Sequence, residues 1–232
     1  MRLTADRVKT LLRDGEVEIL GLLPGASNYT FAVTTSDADL KVVGVYKPRA
    51  GETPLWDFPD GTLYRREIAA YELSEAIGWS LVPPTVEREG PEGIGSMQLY
   101  IDHDPELHYF TLMTAHAATF RRVALFDHIM NNADRKGGHC LLDREGDRVW
   151  VVDHGVCFHA DPKLRTVIWD FAGEAIQDDL AADLARADLS VLDRWLTAYE
   201  VDAARARLDG LLATRIFPDP PEERRAYPWP PV

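Results

Sequence analysis

Residues 126–158, FDHIMNNADRKGGHCLLDREGDRVWVVDHGVCF, constrain this chain more than any other stretch. Two carboxylates, Asp134 and Asp153, stand nineteen positions apart, and the pattern between them predicts a β-hairpin. The first lies in a polar loop with Asn131, Asn132 and Arg135. The second ends an apolar strand, Val149, Trp150, Val151 and Val152, and is followed by His154 and Gly155. A hairpin folds its two ends back on one another. The segment thus reads as a loop carboxylate before the hairpin and a strand-end carboxylate after it, with His139 opening one strand and Asp143 in the turn.

The 232 residues suit one large domain or two small lobes. No apolar run approaches the roughly 20 residues that a membrane helix needs. The N-terminus, MRLTADRVKTLL, alternates charge with apolar residues and lacks a signal-peptide core, so the cytoplasm is the default location. Cys140 and Cys157 make no disulfide framework and read as buried free thiols. Without C-x-x-C or a spaced Cys/His set, a structural zinc site is not expected. The net charge of −13 argues against nucleic acid and against tight docking on an anionic membrane. The pairs Arg65–Arg66 and Arg121–Arg122 read as solvated surface.

Along the chain, residues 4–14 predict a helix capped by Thr4 and ended by Gly15. Strands follow at 16–23, 29–35 and 40–48, the last stopped by Pro48. After a Pro/Gly-rich loop, 49–62, comes a strong helical pattern from Leu63 to Ile77 with Gly78 as its C-cap. Residues 81–89 and 95–101 predict two more strands. Helices are expected at 110–131, 174–186 and 188–213, with Phe110, Leu189, Leu192, Trp195, Leu196 and Tyr199 as core candidates. The reading is α+β: a strand-rich lobe over 1–102, a mostly helical lobe over 103–216, and a Pro-rich tail over 217–232. That tail either recruits a partner or packs on its own domain.

Several residues could carry chemistry. The small turn PGASN, 24–28, lets backbone N–H groups approach phosphate oxygens, with Ser27 as an added donor. An ordinary hairpin turn is the alternative, and no Gly-Lys-Ser/Thr follows. Lys47 ends an apolar strand and can point its ammonium into a cleft. Glu67 and Glu72, on the next helix, are the two candidates to orient it. Asp134 is the candidate base, with Asn131 and Asn132 positioning its loop and Arg135 balancing its charge. Asp153 and His139 together can hold a divalent metal. His103, His108, His116, His128 and His159 form no metal-binding pair and read as structural.

These residues, taken in order, resemble the atypical kinases of the phosphatidylinositol 3- and 4-kinase superfamily, especially the type II lipid 4-kinase and HipA-like branches. Within that group the chain looks most like a small bacterial, actinobacterial family. The resemblance spans roughly residues 18–170. SNYTFAV resembles the phosphate loop and VYKP the ATP-lysine strand. REIAAYELSEAIG with VPPT resembles the lobe helix and following strand. NADRKGGH resembles the catalytic loop and VVDHGVCF the metal-binding Asp-x-Gly. It implies a two-lobed protein-kinase-like fold with ATP and Mg²⁺ or Mn²⁺ between the lobes. Ser27, Asn28, Lys47 and Glu67 would serve the phosphates, and Gln98, Leu99, Tyr100 and Ile101, up to Asp102, the adenine. Asp134 would be the catalytic Asp and Asp153 the principal metal ligand. Where these families usually carry Asn five residues after the catalytic Asp, this chain has His139. Imidazole suits softer ions than magnesium.

The expectation is an ATP-dependent phosphotransferase acting on a hydroxyl of a polyol-type small molecule, a lipid or a protein. Two alternatives stand beside it. One is a nucleotide-binding scaffold without turnover. The other is a metal-dependent phosphohydrolase built from Asp127, His128, Asp134, His139 and Asp153.

Overall fold

The computed structural model describes residues 4–23, 28–145 and 148–232. Helix α1 (Ala5–Asp14) starts at Thr4, whose Oγ1 accepts the Arg7 N–H, and stops at Gly15. It lays Val8 and Leu12 against Val33, Tyr46, Val86 and Met97 of a five-stranded sheet. The strands are β1 (Glu16–Leu22), β2 (Phe31–Ser36), β3 (Lys41–Pro48), β4 (Thr85–Gly90) and β5 (Gly93–Leu99). They pair antiparallel in the order β1-β2-β3-β5-β4.

Between β3 and β4 runs α2 (Leu63–Ile77), closed by Gly78 in the left-handed conformation at φ 84°. Its N-terminus is capped at a distance. The Glu52 carboxylate accepts the N–H groups of Leu63 (3.1 Å) and Tyr64 (2.8 Å). Strand β4 begins four residues later than the apolar pattern suggests, because Pro83 and Pro84 have no N–H for a ladder. Leu81 and Val82 donate instead to the Ser74 hydroxyl.

The second half holds α3 (Tyr109–Leu112), α4 (Ala117–Ile129), the hairpin β6 (Cys140–Leu142) and β7 (Val149–Val151), α5 (Asp178–Arg186) and α6 (Ala198–Thr214). The single helix expected over 110–131 is two helices, with turns at 113–116, and Phe110 is 53% exposed. The helix expected over 188–213 is also divided. Thr197 and Glu200 form a reciprocal capping box that starts α6 afresh. Leu189, Leu192 and Trp195 stay buried, whereas Tyr199 falls on the outer face at 71% exposure. Apolar residues of α2, α4, α5 and α6 share one core with the hairpin. Arg66 is not the surface residue its sequence suggests: it is 1% exposed, on the inner face of α2.

The tail packs on its own domain. Phe217 and Ala226 are buried. The Ala226 carbonyl accepts from Thr166 N–H (3.0 Å) and Trp169 Nε1–H (3.2 Å). Further on, the Pro231 carbonyl accepts the Gly137 N–H at 2.7 Å. A Cβ on Gly137 would sit 3.0 Å from the Phe110 ring and 3.4 Å from that carbonyl, so the tail and α3 close over a bare backbone. Cys140 and Cys157 are free and buried. Among the described residues, no helix is long and apolar enough to cross a membrane.

Candidate functional site

A cleft of about 520 Å³ opens between the sheet and the hairpin. Strand alternation decides what β3 offers it. Tyr46 turns into the α1 core, and Lys47, its neighbour, turns the other way into the cleft. Its ammonium bonds Glu67 Oε1 from α2 and lies 2.9 Å from Asp153 Oδ1, just past β7. The other Glu67 oxygen accepts the His154 N–H at 3.0 Å. One carboxylate thus ties β3 to the residue after Asp153. Glu72 takes no part in this contact.

Asp153 sits at φ 62°, a left-handed conformation uncommon for a residue with a side chain. The turn lifts its carboxylate out of the strand toward Lys47. Burial works to strip Lys47 of its proton, but Asp153 and Glu67 outweigh it and hold the ammonium well above the ordinary lysine value. Reciprocally, Lys47 holds Asp153 well below the usual carboxylate range, against the effect of burial.

Asp134 lines the same cleft. Its N–H donates to Asn132 Oδ1 (2.9 Å), and Asn131 pins the segment beyond, donating to the His159 and Asp161 carbonyls and accepting from Lys163 N–H. The cation beside Asp134 is Lys136, 3.2 Å from Oδ2. Burial raises Asp134 above the ordinary carboxylate value, opposed by Lys136 and reinforced by the charge of Asp153.

Arg135 turns away beneath the loop. It is fully buried, bonding both Asp127 oxygens, the Val152 carbonyl (2.9 Å) and His154 Nε2 (2.8 Å). Its charge balances Asp127, not Asp134. Since His154 Nε2 accepts, its proton is on Nδ1, and burial with Arg135 close by keeps the ring neutral. The five-residue phosphohydrolase cluster is therefore not assembled. Asp127 is spent on Arg135, and His128, pushed down to about 4 by burial, lines no part of the cleft.

His139 Nε2 stands 3.4 Å from Asp153 Oδ2, and burial pushes the imidazole down to about 4 despite the carboxylate. At the far end Leu99, Tyr100 and Ile101 line the cleft, with Gln98 anchored to β4 through Thr85 Oγ1 (2.8 Å). Asn28 lines it too, its Oδ1 accepting Thr53 N–H at 2.8 Å. Asp102 instead pairs with Arg144. Ser27 lies outside the described residues.

Lys136 and Glu52 are cleft residues that sequence reasoning passed over, and His103, read as structural, lines the cleft as well. The Asp-Arg-Lys run carried the signal for the first. Nothing local marks Glu52, which acts on a helix eleven residues away.

The lobe of antiparallel strands, the helix-borne Glu67 meeting a strand lysine, and the carboxylates facing them make up a protein-kinase-like fold. Solved structures share this fold. A Fam20 protein of hydra, solved with sugar, superposes with a TM-score of 0.60 over 90% of this chain and 88% of its own, at 13% identity. The Golgi casein kinase with Mn/ADP bound gives 0.56 over 98% and 80%, at 14% identity. More particularly, the chain belongs to the family of Protein Rv2133c of Mycobacterium tuberculosis. The two are 39% identical over 97% of this chain and 95% of that protein. Weaker similarity, 26% and 29% identity over 53% and 56% of this chain, reaches the phosphatidylinositol 4-kinases gamma 4 of rice and Arabidopsis thaliana, of which the chain spans 26% and 30%. No family model matches the sequence.

Proposed function

We propose that this protein transfers a phosphoryl group from ATP to a hydroxyl acceptor. The observation that carries this reading is Lys47, held between Glu67 and Asp153 in one cleft with Asp134. In phosphoryl transfer the protein's work is positioning and charge stabilisation. Lys47, kept protonated by its two carboxylates, binds the triphosphate. Adenine lies along Gln98–Ile101. Asp134 orients the acceptor hydroxyl and takes its proton, its raised proton affinity bringing it nearer to working pH. Lys136, beside it, compensates charge on the transferring group. Arg135 acts through structure, fixing the loop from below.

The donors present suit a divalent cation. Asp153 Oδ2 and His139 Nε2 are 3.4 Å apart, and the imidazole is neutral. As it stands, His139 Nδ1 accepts a long bond from Lys136 N–H (3.5 Å), which places the proton on Nε2. Ligation through Nε2 requires the other tautomer and gives up that weak bond. Among the described residues no three His, Cys, Asp or Glu form a ready-made cage, so phosphate oxygens and water would complete the shell. Such an ion, when bound, neutralises phosphate charge. The Golgi casein kinase solved with Mn/ADP supports this pairing of cofactors.

The test is a thermal-shift series with ATP and Mg²⁺ or Mn²⁺. A nucleotide at a hundredfold excess over Kd should stabilise the fold by about 2.7 kcal/mol. No shift with any nucleotide and metal overturns the reading. A second reading, nucleotide binding without turnover, is favoured by the His139–Asp153 contact, which occupies a carboxylate oxygen a metal would need. A nucleotide shift with no metal-dependent release of ADP would select it.

A further inference from the structure

We infer that the buried Arg66–Glu200 pair is a positioning device that sets the rotation of α2 and so keeps Glu67 on Lys47. Arg66 joins three segments. Its Nη2 bonds Glu200 Oε1 on α6, its Nη1 donates to the Cys157 carbonyl at 2.7 Å, and its guanidinium lies 4.8 Å from the Phe58 ring centre. Glu200 is itself fixed: its other oxygen accepts from Thr197 N–H and Thr197 Oγ1, both at 2.9 Å. Cys157 lies three residues past His154, whose N–H holds Glu67.

Adjacent helical residues point about 100° apart. Arg66 therefore faces the helices while Glu67 faces the cleft, and each is gripped by the segment that follows Asp153. Two directional contacts at consecutive positions fix a helix about its axis. The apolar contacts of α2 alone are non-directional and tolerate sliding. Buried ion pairs are best attested in this use, setting register more than adding stability. Arg66 lines no part of the cleft; it acts through Glu67.

The test replaces the pair by apolar residues, Arg66→Met with Glu200→Leu, and reads Lys47 directly. Lys47, gripped by Glu67 and Asp153, should resist acylation by acetic anhydride more than a lysine free of partners. Mass spectrometry after a short exposure at pH 8 gives its rate, with the exposed Lys41 as internal standard and Glu67→Gln as the reference in which only the Asp153 charge still holds the ammonium. Losing a partner worth one pKa unit exposes tenfold more free amine. The double variant should melt within a few degrees of the native protein yet label Lys47 about tenfold faster, approaching Glu67→Gln. A folded double variant that labels at the native rate overturns the inference. Should that variant not fold, Arg66→Lys decides. It keeps a charge for Glu200 but loses the second arm that reaches the Cys157 carbonyl, and should label at an intermediate rate; the native rate would overturn the inference equally. The readout needs no nucleotide. If ATP gives no thermal shift, the proposed reaction fails while this inference stands or falls on the labelling alone.

Discussion

Two clusters of charge lie back to back on the loop 131–135, and they are built to opposite rules. Beneath the loop, Asp127, Arg135, Thr166 and His154 are all buried. Asp127 receives bonds from Asn132, Arg135 and the Thr166 hydroxyl, and Arg135 spends its donors on Asp127, a carbonyl and a neutral imidazole. Above it, Lys47, Asp153, Asp134, Lys136 and His139 face a cleft, and Asp153 is left 53% exposed. The lower cluster is closed except at His154 Nδ1, which is buried without a hydrogen-bond partner among the described residues, 3.9 Å from Glu67 Oε2. The upper one keeps lone pairs and donors in reserve, with the proton affinities of Lys47 and Asp153 displaced by each other's charge and those of Asp134 and His139 by burial. A polar network that is complete specifies a shape; one left incomplete is able to bind.

Breaking the lower cluster should cost the most. Asp127→Ala strands the Arg135 guanidinium in the interior and is expected to lower unfolding stability by about 3–5 kcal/mol, measured by urea titration. A loss under about 1 kcal/mol would mean the two clusters are less different than their burial implies. Asp134→Asn comes next, in the opposite currency of rate. Turnover should fall on the order of 10²-fold, about 2.7 kcal/mol in the barrier, with the urea midpoint almost unmoved and nucleotide still bound.

Acidification sharpens the contrast further. His128 and His139 are pushed down to about 4 and His154 also well down, each by burial. The unfolded chain takes up these protons near pH 6.5 and the folded one does not. Stability is therefore full above about pH 6.5 and falls as pH drops toward 4, by about 2 kcal/mol or more. Asp153, depressed by Lys47, adds its own loss only below about pH 4. Urea titrations at several pH values test the slope; a flat profile from pH 7 to 4.5 would contradict it. The smallest effect is expected at Gly137→Ala. The added methyl presses on the Phe110 ring and the Pro231 carbonyl, costing about 1 kcal/mol and loosening the loop. Unfolding free energy and turnover measured together should both decline modestly.

Much of the fold is legible locally. The α+β alternation, β3 ending in Pro48, and α2 closing at Gly78 follow from strand-forming residues, missing donors and a left-handed cap. The strand pattern also locates Lys47, and the hairpin brings Asp134 and Asp153 to one cleft. What local pattern does not carry is any partner far along the chain. Arg66 reads as surface because the carboxylate that buries it lies 134 residues away. Arg135 reads as a neighbour of Asp134 because its true partner, Asp127, belongs to the preceding helix. The tail packs at home through donors elsewhere in the chain, Thr166, Trp169 and, at its very end, the Gly137 N–H, which no composition reveals.

That N–H gives the molecule an order of assembly. Gly137 leaves the ribosome roughly ninety residues ahead of Pro231, whose carbonyl braces it. At ordinary elongation rates the interval is on the order of ten seconds. Throughout it, the nascent chain carries the loop without that one contact, which it gains only once Pro231 has emerged as well.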